Sequence, residues 1–348
     1  MANRKEYGRN IDFNKYDLKP SGSYLDSSRC DLEELLGSMS VADEAAKKLL
    51  RETSNNPMLS NDAPKTCAEK GPETPDLNEL LAELDSLIGL NRIKENVKSL
   101  INLNKVRKLR EEHGLPVPPM SLHLVFIGNP GTGKTTVARL LAKLYHAIGV
   151  LSKGQLVEVD RSGLVAGFVG QTAIKTGEVI KSSLGGVLFI DEAYSLSPQD
   201  SLSDFGHEAI ETLLKAMEDN RSDFVVIAAG YGDLMEGFIS SNPGLESRFN
   251  RYFVFEDYCT EELFSIFSLM CNKNEYVLTP EAEDCAKIHL DRLYETRNEN
   301  FGNARDVRNI FENVISVHSD RVSAIEAPTR DELMTVQRED IEKAALLG

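Results

Sequence analysis

Eight consecutive residues, Gly128-Asn129-Pro130-Gly131-Thr132-Gly133-Lys134-Thr135, match the spacing G-x-x-x-x-G-K-[ST]. Glycines so placed let a backbone curl until successive N–H groups face an anion. A helix opening at the end of the loop adds its positive dipole end. Lys134 is then suited to bridge the β- and γ-phosphates of a nucleoside triphosphate, and Thr135 to ligate its Mg²⁺. Asn129, Pro130, Gly131, Thr132, Gly133 and Thr136 complete the expected cradle, with ATP and Mg²⁺ as its ligands. A second run, Val187-Leu188-Phe189-Ile190-Asp191-Glu192, ends an apolar stretch in two acids. Acids at the C-terminal end of a buried strand lie in the crevice where α/β folds bind ligands. Asp191 suits the Mg²⁺ shell, and Glu192 the general base that activates an attacking water. A protein that only binds nucleotide has little need of the second acid.

Positioning these groups takes a strand before the loop and a helix after it. Short apolar runs at 122–127, 156–159, 187–190, 224–229 and 252–255 alternate with amphipathic stretches, one of them a helix from about 134 to 147. That alternation implies an α/β fold, a doubly wound five-stranded parallel sheet covered on both faces. Helices at 77–87 and 92–112 precede the sheet, the second basic through Lys94, Lys98, Lys105, Arg107, Lys108 and Arg110. Beyond Asp257 the strands are expected to stop. Helices follow at 260–271, 279–295, 303–321 and near 338–347, with Thr279 as an N-cap and Pro280 in the first turn. Residues 1–76 are rich in turn-forming dipeptides and hold one candidate helix at 31–51 with Leu32, Leu35, Leu36 and Met39 on one face. The chain therefore divides into a partly disordered extension (1–76), an α/β domain (77–257) and a helical domain (258–348).

Composition narrows the partners. Of 348 residues, 55 are acids and 39 are Lys or Arg, a formal net charge of -16, which argues against nucleic acid or an anionic membrane as the main partner. No apolar run approaches the roughly 18 residues that a membrane span needs. The five cysteines, Cys30, Cys67, Cys259, Cys271 and Cys285, form no CxxC pair and read as free thiols of a cytoplasmic protein.

With GNPGTGKT, VLFIDEA and a trailing helical segment in this order, the sequence resembles the AAA+ ATPases of the P-loop NTPase class. It is most similar to the subgroup holding red-type Rubisco activase (CbbX), the sporulation protein SpoVK and the ATPase half of the secretion protein EccA. GGVLFIDEAYSL, SNPGLESRF and GNARDVRNIFEN carry the similarity. The resemblance implies a helical lid domain and an adenine site at Ile88-Gly89-Leu90. It implies that Arg248, and with it Arg251, reaches the γ-phosphate of a neighbouring subunit, and hence a homo-oligomer, most simply a hexameric ring. It further implies that Arg305 contacts nucleotide from the lid of the same chain. Phe168, Val169 and Gly170 would form a pore loop that grips polypeptide, with 195–204 as a second pore-facing segment. A polar sensor residue, often Asn at the end of the fourth strand, is missing there; Tyr231 and Asn242 are the two candidates.

These features predict an ATP-hydrolysing ring motor that remodels or partly unfolds a client protein through a central pore. Rubisco activation in particular, or a nucleic-acid AAA+ ATPase of the helicase-loader type, are the alternatives. The sequence does not name the client.

Overall fold

The computed structural model describes residues 76–347 apart from 119, 169, 198–204 and 299–300. These lie in one compact unit spanning Thr74–Gly348. The expected helix at 31–51 and most of the second pore-facing segment lie outside the described residues.

Five short strands form one parallel sheet: β1 (Leu124–Gly128), β2 (Leu156–Val159), β3 (Val187–Ile190), β4 (Val225–Gly230) and β5 (Tyr252–Phe255). Their spatial order is β2-β3-β4-β1-β5, so β1 lies between β4 and β5. Val125 of β1 is level with Ala228 of β4 and Tyr252 of β5, and Ile190 of β3 with Ala228. β3 and β4 are buried at every position, which is why they read as unbroken apolar runs without alternation. Phe126 stacks on Phe253 at 5.4 Å and tilts against Phe255 at 5.0 Å, tying β1 to β5 by ring packing as well as backbone bonds.

Helices α1 (Leu77–Ser86), α2 (Asn91–Glu112) and α3 (Lys134–Ala147) supply the main core against this sheet. Leu84, Val97, Ile101, Leu141 and Tyr145 are fully or nearly fully buried there beside Phe126 and Phe189. Between β2 and β3 come α4 (Arg161–Leu164) and α5 (Gln171–Ser183). A single 3-10 turn, Ala193–Leu196, and α6 (Gly206–Asp219) lead to β4, and α7 (Gly232–Ser240) and α8 (Pro243–Arg248) lead to β5.

A second core follows, built from α9 (Thr260–Lys273), α10 (Pro280–Glu295), α11 (Ala304–Ser323) and α13 (Arg338–Ala344), around Leu263, Phe267, Leu290, Val307 and Val314. Thr279 caps α10 by accepting the Ala282 amide at 3.2 Å, with Pro280 in the first turn. The expectation that strands stop after Asp257 is corrected. Val277–Leu278 (β6) pairs in parallel with Thr335–Val336 (β7), which follows the short helix α12 (Arg330–Met334). A two-residue ladder has no periodicity for a sequence to display. Arg321 of α11 grips Asp340 of α13 with two bonds, 2.8 and 2.9 Å, and donates to the Thr335 carbonyl of β7 at 2.9 Å. None of the described helices is long and apolar enough to cross a membrane.

Candidate active site

The glycine loop leaves β1 and opens α3, as its spacing requires. Gly128, Gly131 and Gly133 all have positive φ, at 155°, 70° and 92°. At Gly131 there is no room for a side chain: a Cβ would collide with the Gly302 carbonyl and the Arg305 amide. Glycine here serves both the turn and the close approach of the second domain. Lys134 Nζ donates to the carbonyls of Gly128 and Asn129, each at 2.8 Å. Burial lowers its pKa to about 8; the carboxylates of Asp191 and Asp257 oppose that fall, and Arg305 adds to it.

Around the loop lies a cavity of about 730 Å³ that draws on both cores. Lys134, Thr135, Thr136, Asp191 and Glu192 line it, with Pro130, Gly131 and Gly133 of the loop. Leu87, Ile88, Leu90, Ile266 and Leu269 contribute apolar surface to it. Arg305 and Arg308, on successive turns of α11, enter from the second domain, as does Lys273 from the end of α9. A cavity that combines apolar surface with cations and a hydroxyl–carboxylate pair fits a nucleoside triphosphate with its divalent cation. Thr135 and Asp191 are the oxygen donors that would hold Mg²⁺.

Asp191 ends β3, and its carboxylate accepts the Glu192 amide at 3.0 Å. Glu192 sits in the left-handed region, φ 48°, and is exposed to the cavity. A non-glycine residue held there is strained by an amount on the order of 1–3 kcal/mol, a pattern that clusters at functional sites. Close by, burial raises the Tyr194 hydroxyl to about 12, reinforced by Glu192, Tyr231 and Asp191.

Several expected residues lie elsewhere. Gly89 does not itself line the cavity; its φ is 61°, and the Glu262 carboxylate fills the space a Cβ would need. Thr132 is fully buried, with Oγ1 donating to the Asn129 carbonyl at 2.8 Å, so it braces the loop from within. The Asn129 side chain turns away, giving its amide to both oxygens of Asp257 at 3.0 and 3.2 Å. Of the two sensor candidates, Tyr231 lines the cavity, while the Asn242 side chain caps α8 by accepting the Gly244 amide at 2.7 Å.

Arg248 is remote from its own chain's cavity and borders a separate hollow with Met120, Ser121, His123 and Glu218. Its Nη2 lies 3.3 Å from Glu218 Oε2. Arg251 does not line that hollow: like Arg248 it is half-buried, with Nη2 2.8 Å from the sulfur of Met120, which does. Phe168, by contrast, is 71% exposed, and a Cβ at Gly167 or Gly170 would meet nothing within 4 Å. The loop that carries it is anchored at its ends, where Thr172 Oγ1 accepts the Ala166 amide at 3.0 Å and Thr176 Oγ1 donates to the Leu164 carbonyl at 3.0 Å. Val169 lies outside the described residues.

Sequence reasoning overlooked Asp257, Tyr258, Asn303 and Arg308. Tyr258 donates its hydroxyl to the Thr132 carbonyl at 3.3 Å, and burial pushes that hydroxyl to about 12. Asp257 offered a signal, since it lies just past a parallel strand's C-terminal end, as Asp191 does.

The profile of the ATPase family associated with various cellular activities (AAA) matches residues 124–257, and the AAA lid domain matches 259–346. Stage V sporulation protein K of Bacillus subtilis is 44% identical over 266 residues, covering 76% of this chain and 82% of that protein. The chain belongs to the AAA ATPases. Within this family, protein CbbX of Cereibacter sphaeroides is 45% identical to the ATPase, covering 76% of it and 85% of CbbX. The chloroplast Rubisco activase of Cyanidioschyzon merolae is 43% identical, covering 78% and 92%. In three dimensions the ATPase is similar to a point mutant of Thermotoga maritima RuvB (TM-score 0.51, 19% identity, 76% of this chain and 72% of that one), a likeness of fold.

Proposed function

We propose that this ATPase is a ring motor, most simply a hexamer, that uses ATP hydrolysis to pull on a client protein. The exposed Phe168 between two unobstructed glycines carries this reading. An exposed aromatic flanked by glycines offers a grip on polypeptide that tolerates many sequences, and a simple nucleotide switch has no use for it.

In the proposed cycle the apolar surface of the cavity receives the adenine, and loop amides with Lys134 hold the phosphates. Mg²⁺, when bound, neutralises phosphate charge. Glu192 accepts a proton from the water that attacks the γ-phosphorus, and the bond to the β–γ bridging oxygen breaks, leaving ADP and phosphate. Tyr231, which lines the cavity, is the residue we assign to orient that water. Arg305 stabilises the phosphates from the lid of the same chain, and Arg248 does so from the neighbouring subunit. That Arg248 lines a separate hollow and not its own chain's cavity supports action in trans. We place the motor in the cytoplasm, with no membrane partner. The names of its relatives make Rubisco one candidate client and a sporulation protein another.

A photo-crosslinking residue at position 168, in a Glu192→Gln background that holds ATP, tests the grip. In an extract of the source cells it is expected to capture polypeptide only when ATP is present. Capture that ignores ATP, or that reaches only the chain itself, contradicts the proposal.

A further inference from the structure

The first turn of α11 carries Arg305, and the residue before that helix is held with unusual care. Asn303 is fully buried and has φ 51° and ψ −123°, a conformation that glycine tolerates and other residues rarely adopt. Nothing about starting a helix demands this, and the Asn303 side chain makes no cap bond to α11.

Its bonds tie the lid to the α/β domain instead. Nδ2 donates to Asp257 Oδ1 at 2.7 Å, to the Pro130 carbonyl of the phosphate loop at 3.3 Å and to the Phe301 carbonyl at 3.2 Å. Oδ1 accepts the Tyr258 amide at 2.9 Å. Asp257 in turn accepts the side-chain amide of Asn129, and the Asn129 carbonyl accepts Lys134 Nζ. A further backbone bond runs from the Ala304 amide to the Gly131 carbonyl at 3.3 Å. The chain of contacts therefore runs from the phosphate-binding lysine, through Asn129 and Asp257, to the residue that starts the lid helix.

We propose that Asn303, together with Asp257, is a positioning residue for hydrolysis: it locks the start of the lid helix to the phosphate loop and so places Arg305 over the phosphates. A phosphate competes with the Gly128 and Asn129 carbonyls for Lys134 Nζ. Occupancy of the loop is thereby felt at Asn129 and passed to the lid through Asp257 and Asn303. This rests on the reading of the cavity as the ATP site.

Two features make the inference separable from simple folding. Asn303→Gly removes every side-chain bond yet relieves the backbone conformation, because glycine adopts it readily. Asp257→Asn breaks the same relay from the other side, setting an amide donor where two neighbouring amides also donate. Coupling between sites is commonly worth about 5–150-fold in affinity or protection.

Backbone hydrogen exchange of the full chain, with and without Mg·ATP and in a Glu192→Gln background, tests this. With the native relay, Mg·ATP is expected to slow exchange at the phosphate loop and, by about fivefold or more, in the first turns of α11. In Asn303→Gly and in Asp257→Asn the loop should still gain protection while the α11 effect falls below about twofold. With Glu192 restored, both variants should lose kcat with little change in KM. Lid protection that survives in either variant would overturn the inference, as would loss of loop and lid protection together. If Mg·ATP protects no loop amide even with the relay intact, the ATP-site reading fails instead.

Discussion

Lys134 shows how a single side chain records the demands of the site. Its ammonium is largely removed from water, and burial outweighs the nearby acids, bringing it to about 8 from 10.5. Its depressed pKa makes the charged form a cost to folding below pH 8, relieved as pH rises from 8 towards 10.5. Nucleotide reverses the preference, because bound phosphate favours the ammonium. Binding should therefore take up close to one proton above pH 8, and affinity for Mg·ATP should be about tenfold weaker at pH 9 than at pH 7. Calorimetry in two buffers of different ionisation enthalpy measures both. An affinity that is flat across this range would mean that Lys134 stays charged in the free protein.

At the scale of elements, the lid depends on one buried ion pair. Burial tends to raise the Asp340 carboxyl, but the bonds from Arg321 and the Gln337 amide hold it below its ordinary value of 3.8. Its stabilisation is thus fully present above about pH 4 and is lost as pH falls through the lowered folded value. Asp340→Ala strands a largely buried guanidinium and should destabilise the lid by about 2–4 kcal/mol, read as an earlier thermal transition. If the transition does not move, the lid's short ladder is held by its core alone. The same region shows where sequence reading reaches its limit. GNPGTGKT and the Asp191-Glu192 pair were legible because their chemistry is packed into consecutive residues between a strand and a helix. Thr279 and Pro280 announced α10 for the same local reason. Asn303 and Asp257 meet across 46 positions, and Asn129 and Asp257 across 128, so no local pattern marks them. The β6–β7 ladder was missed because it is too short to have a period. Arg248 and Arg251 looked alike in sequence, and only the fold separates an arginine bordering an open hollow from one packed against Met120.

Across the whole molecule, the proposed hydrolysis needs one cation that the cavity lining does not include, Arg248. The cavity is lined by Arg305 and Arg308 of the lid, by Lys273 and by the loop lysine, while Arg248 borders a separate hollow of the same compact unit. In the proposed assembly Arg248 serves the neighbouring subunit, through a head-to-tail contact that closes into a ring. On that proposal assembly is a condition for turnover, worth about 10³–10⁵ in rate by comparison with trans-acting arginines elsewhere.

Mixing two inactive variants tests that claim most directly. Glu192→Gln retains Arg248 but lacks the base, and Arg248→Ala retains the base but lacks the arginine. Each alone should hydrolyse ATP at a small fraction of the native rate. Combined in equal amounts and allowed to exchange subunits, they should regain activity approaching about a quarter of native, because one interface in four then joins an intact Glu192 to an intact Arg248. A mixture no more active than its components would show that the arginine does not act between subunits, and would contradict the ring account.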